Sequence, residues 1–200
     1  MHPNPAFRKT DTARNLDFAR MRGFGVLCVN GADGPVLAHV PFVMAADGEF
    51  LDLHLARSNL VIAAGLPTAA VMAVSGPDHY ISPDWYGIAD QVPTWNYIAV
   101  HLRGVLSPMP PETLEPHLDQ VSALHEAGLA PKPAWTSAKM TDGVMARMMR
   151  MILPFRLTIA SVDGTWKLNQ NKPLSARQGV IAALSADSGI ARAMKDLPEP

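Results

Sequence analysis

Two turn clusters placed close together constrain this chain more than any other feature. Asn30-Gly31-Ala32-Asp33-Gly34-Pro35 separates the apolar run 24–29 from the run 36–44. Ala45-Ala46-Asp47-Gly48 then leads into 49–55, where Leu51, Leu53 and Leu55 alternate with Phe50, Asp52 and His54. Glycine and aspartate in such clusters reverse the chain within a few residues, and a period of two marks a strand with one buried face. Strands joined so tightly pair antiparallel, because a parallel pair needs a crossover of about a dozen residues or more.

The remaining pattern adds strands and helices in an α+β order. Residues 11–21 read as a helix with Leu16, Phe18 and Met21 as its apolar positions, and Ser58 as the cap of a short helix through 64. A strand is expected over 69–75. Over 95–107 the spacing predicts a long strand with Ile98, Val100, Leu102 and Leu106 toward the core. Its other face carries Trp95, Tyr97, His101 and Arg103, the wall of a site or a subunit contact. Leu114, Leu118, Val121 and Leu124 keep helical spacing, with the helix starting near Pro116. Met145, Met148, Met149 and Ile152 fall at i, i+3, i+4 and i+7, the stripe of a helix packed on a core. A strand over 155–162 should turn at Asp163-Gly164. Ser175-Ala176-Arg177-Gln178 reads as a capping box opening a helix to 186, and the tail 197–200 as frayed.

Two hundred residues suffice for one domain, 1–200, with a full core. No apolar run approaches the roughly 18–20 residues of a membrane span. The N-terminus carries Arg8, Lys9 and Asp11 with no apolar stretch behind them, unlike a secretory leader. The lone Cys28 excludes an internal disulfide and a cysteine zinc site, and its place in 24–29 reads as a packed thiol. A cytoplasmic protein is the expectation. The formal net charge of −1, with no block of Lys and Arg, speaks against a dedicated nucleic-acid binder, although a dimer could still assemble a basic face.

Several chemistries are absent from the sequence. Gly23-Phe24-Gly25 lacks the third glycine of a dinucleotide fingerprint and precedes its strand. There is no P-loop, nucleophile elbow or His-Glu-x-x-His. The seven histidines are scattered without metal spacing. The helices expected over 140–152 and 175–186 are separated by a strand, so they do not form a helix-turn-helix.

Chemistry is instead suggested by Tyr80-Ile81-Ser82-Pro83-Asp84-Trp85-Tyr86 and Val92-Pro93-Thr94-Trp95-Asn96-Tyr97. They hold two of the four tryptophans and all three tyrosines. Aromatic rings among Ser, Thr and Asn suit a flat ligand that needs stacking area and fixed hydrogen bonds. The same rings would also serve as the plug of a barrel end.

This stretch, followed by Val100-His101, resembles the PaiB-type family, described as FMN-binding negative transcriptional regulators. Ala38-His39-Val40-Pro41-Phe42, His54-Leu55-Ala56-Arg57-Ser58-Asn59, Lys167-Leu168-Asn169-Gln170-Asn171 and Arg177-Gln178-Gly179-Val180 extend the resemblance along nearly the whole chain. It implies a six-stranded antiparallel FMN-binding split barrel with peripheral helices, dimerising around FMN. It also implies negative transcriptional regulation, with DNA as a partner by resemblance alone. A flavin-dependent oxidoreductase acting on a small molecule, or a haem or flavin carrier, are the alternatives.

The resemblance also implies where a flavin would sit. The relatives' Ser-Arg-Lys-like phosphate turn reads here Ala56-Arg57-Ser58-Asn59, with fewer cations, for which Lys167 would compensate. Independently, a helix starting at Ser58 would aim backbone N–H groups at an anion, and Arg57 would add a charged contact. Thr94, Trp95 and Asn96, with His39 and Pro41, are the candidates around the ring. Lys167, Gln170 and Asn171 form a further polar group after Trp166.

Overall fold

The computed structural model describes residues 1–197. The tail expectation therefore falls, from Pro198 on, outside the described residues. Six strands form one closed antiparallel barrel in the order β1-β2-β3-β6-β5-β4. They are β1 (Phe24–Gly31), β2 (Gly34–Met44), β3 (Phe50–Ala56), β4 (Thr68–Ile81), β5 (Thr94–Pro108) and β6 (Ile152–Lys167). The helices are α1 (Thr12–Arg22), α2 (Leu60–Ala63), α3 (Leu114–Ala127), α4 (Val144–Met149), α5 (Leu174–Ala183) and α6 (Gly189–Lys195).

The chain divides into two compact units. The first combines Met1–Asn15, Ser75–Val100 and the chain from Asp163 on; the second combines Leu16–Val74 and His101–Val162.

The second unit holds the hairpins that the turn clusters dictate. β1 and β2 pair from Phe24↔Pro41 to Gly31↔Gly34, and β2 and β3 pair at Phe42↔Leu53 and Met44↔Leu51. Alternation then decides burial: Leu27, Phe42, Leu51, Leu53 and Leu55 are inside, while His39 and Arg57 are exposed. Burying such side chains contributes roughly 1.5–3 kcal/mol each. Cys28, expected within a buried run, lies on the outward side of β1 and is half-buried. Met21 is exposed rather than packed, because α1 turns Asn15, Phe18 and Ala19 inward instead.

In the first unit α5 and α6 pack together, and α5 also packs on the 3-10 turn at Pro83–Tyr86. A Cβ at Gly179 would overlap the Trp85 carbonyl oxygen, so glycine permits that approach. The core there includes Ile81, Trp166, Leu168, Val180 and Ile190.

Three local expectations are corrected. β6 runs straight through Asp163-Gly164 instead of turning. Gly164 makes room for Asn15, whose amide a Cβ would overlap and whose Oδ1 accepts the Trp166 indole N–H at 2.8 Å. α2 is capped by Asn59, not Ser58: Asn59 Oδ1 accepts from the Val61 N–H at 3.0 Å. α5 begins after Pro173 with no side-chain cap, so Ser175 lies inside its first turn and no capping box forms. Proline suits that entry because its fixed φ already matches the approach to a helix.

Candidate functional site

The turn after β3 is built by the strand itself. Leu51, Leu53 and Leu55 fix β3 in the core, and the Ala56↔Ile152 pair ends its ladder with β6. The chain then leaves the sheet with Arg57 exposed. Its backbone N–H donates to the Met151 carbonyl at 2.9 Å, and its Nε donates to the Arg150 carbonyl at 2.6 Å. These two bonds orient the guanidinium, and its terminal nitrogens make no hydrogen bond or ion pair among the described residues. A guanidinium held by one edge presents the other as a fork for an anion. It faces a cavity of about 310 Å³ that also receives Arg150, Glu112 and Glu115. Two cations and two carboxylates leave the cavity without a net positive charge, so hydrogen-bond geometry must select the anion. Ser58 is exposed beside Arg57, while the Asn59 side chain is occupied in capping α2. His39 stands exposed and Pro41 half-buried on the outward face of β2, opposite Val26 and Phe24 of β1.

The same unit contains a pair that the sequence did not reveal. His54 on β3 and His117 on α3 meet with Nδ1 and Nε2 3.1 Å apart. Burial lowers both pKa values; for His117 burial first, and then the neighbouring His54 ring, lower it to about 4 against the opposing pull of Asp52. Asp52 itself takes a two-pronged contact from Arg156, at 2.7 and 2.8 Å. That hydrogen bonding raises the Arg156 pKa, and its guanidinium lies 3.5 Å over the Phe50 ring.

In the first unit, Thr94 at the start of β5 and Lys167 at the end of β6 are joined: Lys167 Nζ donates to Thr94 Oγ1. Burial pushes the Lys167 pKa down, and the ammonium lies 5.9 Å over the Phe7 ring. Trp95 is 55% exposed and meets Tyr80 edge-on at 6.3 Å. Asn96, one residue on, points to the opposite face and is fully buried, its Oδ1 without a hydrogen-bond partner among the described residues. Consecutive strand residues cannot share a face, so Trp95 and Asn96 do not line one wall. Gln170 turns back on its own loop: its Oε1 accepts from the Leu168 N–H at 2.8 Å and its Nε2 donates to the Trp166 carbonyl. Asn171 is exposed.

Sequence reasoning passed over Tyr86, Asn169 and Arg177 as site residues, and all three are buried. Among the described residues the Tyr86 hydroxyl and Asn169 Nδ2 have no well-aligned hydrogen-bond partner, yet Asn169 is close enough to oppose the rise that burial causes in the Tyr86 pKa. Asn169 adopts a left-handed φ of 62°, which asparagine tolerates better than most residues. Arg177 shares the buried face of α5 with Ala176 and Val180. The available signal was an arginine placed on an otherwise apolar helix face.

Within the first unit, the Lys167 ammonium, the Thr94 hydroxyl and the exposed Trp95 indole are groups of the kind that orient and stack on a flavin ring. Within the second unit, Arg57 is the type of residue that binds a phosphate. The family model described as "Putative FMN-binding domain" matches residues 1–161. Protease synthase and sporulation protein PAI 2 of Bacillus subtilis is 25% identical over 197 residues, covering 96% of this chain and 94% of that protein. The chain belongs to the PaiB-type FMN-binding family. Solved structures share its fold, two proteins among them. The FAD and heme binding protein from Mycobacterium smegmatis has a TM-score of 0.59 at 16% identity, covering 90% of this chain and 81% of that one. The flavocytochrome Anf3 from Azotobacter vinelandii has a TM-score of 0.60 at 12% identity, covering 83% and 72%. At these identities the likeness is one of fold. FMN is the family's ligand, and the family model ends before Lys167 whereas the likeness to PAI 2 spans almost the whole chain. No described helix is long and apolar enough to cross a membrane.

Proposed function

We propose that this chain is a cytoplasmic, homodimeric regulator of the PaiB type that represses transcription and uses bound FMN as its effector. The observation that carries this reading is the match to PAI 2, which covers 96% of this chain and 94% of that protein. Arg57 is proposed to contact the FMN phosphate, because its guanidinium is oriented by the Arg150 carbonyl and its terminal nitrogens lie open to a cavity. DNA contact is proposed for Arg147 and Arg150, both exposed at α4. Mobility shifts with promoter fragments, with and without FMN and over a salt series, test the proposal. A specific shift that responds to FMN is expected; no specific shift at low salt in either condition overturns it.

A second reading is a flavin or haem carrier or a flavin oxidoreductase. It draws on the flavin and heme binding named for the fold relatives. The visible spectrum of the purified protein separates the bound groups: flavin bands belong to the first reading, to a flavin carrier or to a flavoenzyme, and a Soret band to a haem carrier.

A further inference from the structure

Periodicity assigned the methionines of 145–152 to a core, and the structure does not place them there. α4 is only six residues long and none of it is buried. Met148 is 57% exposed and Met151 69%. Five methionines, with Trp135 and Ser122, instead line an open hollow of about 450 Å³ at the surface of the second unit. Among the described residues no charged one lines it.

We propose that this cavity binds a neutral, planar, apolar small molecule, an aromatic ring system in chemical class. Its volume lies in the range of about 300–1,000 Å³ typical of small-molecule sites. Thioethers on unbranched side chains adapt to the outline of a ligand and make favourable contacts with aromatic rings. Trp135 adds a flat face, and the Ser122 hydroxyl is a single polar handle for orientation. An ionised ligand is disfavoured because its charge would lose water without gaining a partner. Met149 and Ile152 also line the cavity that Arg57 faces, so the two cavities are neighbours with a common wall. The inference goes beyond the regulator reading and does not rest on it; within that reading it names the chemistry of a second signal.

The test uses two fluorescent probes of one ring system. N-phenyl-1-naphthylamine is neutral, and 1-anilinonaphthalene-8-sulfonate carries a sulfonate. The neutral probe is expected to bind saturably, at least ~10-fold more tightly than the sulfonate, because the lining offers no cation. Saturating FMN is expected to leave its affinity unchanged. Met148→Glu should weaken the neutral probe at least ~10-fold by placing a charge in the lining, with the unfolding midpoint unchanged because Met148 is exposed. Met145→Glu is the second variant. The proposal is overturned by absence of saturable binding, by equal affinity for the two probes, by displacement with FMN, or by wild-type affinity in both variants. A wild-type dimer that Met148→Glu converts to a monomer would assign the face to a second copy and overturn it as well.

Discussion

His54 Nδ1 and His117 Nε2 stand 3.1 Å apart across 63 residues of sequence, joining β3 to α3. At this distance one ring donates and the other accepts, so the contact needs at least one neutral imidazole. Because burial holds the His117 pKa near 4, against 6.5 when unfolded, the unfolded chain takes up the proton first as pH falls. The stabilisation is complete above about pH 6.5, declines between pH 6.5 and 4, and is absent below that window. Its upper bound is about 3.5 kcal/mol, at roughly 1.4 kcal/mol per unit. Denaturant unfolding at pH 7.5 and 4.5 should show the loss in the wild type and a smaller one in His117→Leu. An equal pH dependence in the two proteins would exclude the pair as its source.

Arg57 is fixed at Nε by the Arg150 carbonyl. Arg57→Ala should weaken FMN binding by ~1.5–3 kcal/mol, the scale of a hydrogen bond to a charged group. Arg57→Lys should recover only part, since an ammonium lacks the fork. Fluorescence titration of FMN measures both, and unchanged affinity in Arg57→Ala would remove this residue from the phosphate contact.

Gly164 leaves no space for a side chain beside Asn15. Gly164→Ala should displace the Asn15 amide, break its bond to the Trp166 indole and destabilise the protein by ~2–4 kcal/mol. Gly128→Ala is the control: its nearest neighbour would be 3.6 Å away, at a C-cap with φ −75°. That change should be neutral or stabilising by a few tenths of a kcal/mol. Urea midpoints of the two variants test the contrast.

Any operator complex should be only moderately salt-dependent. With no block of Lys and Arg in the sequence, only a few cations reach the phosphate backbone together, which predicts a log–log salt slope of about −3 to −5. Arg147→Ala should reduce the magnitude of that slope by about one. A slope unchanged in Arg147→Ala would place the DNA contact elsewhere.

By itself the sequence determined the barrel's hairpins and the family. Turn residues at 30–35 and 45–48, with strict alternation through Leu51, Leu53 and Leu55, leave one pairing sense and one buried face, and both are local properties. The same period of two already implied that Trp95 and Asn96 face opposite ways. Tertiary structure alone decided the rest, because those contacts join distant residues. It set His54 against His117, Lys167 against Thr94 and Asn15 against Trp166. It turned Asp163-Gly164 from an apparent turn into continuous strand, since the glycine answers to a side chain about 150 residues away and not to its neighbours. It also left the methionine stripe at a cavity instead of in a core. Helical spacing shows that residues share a face; it does not show whether another element covers that face.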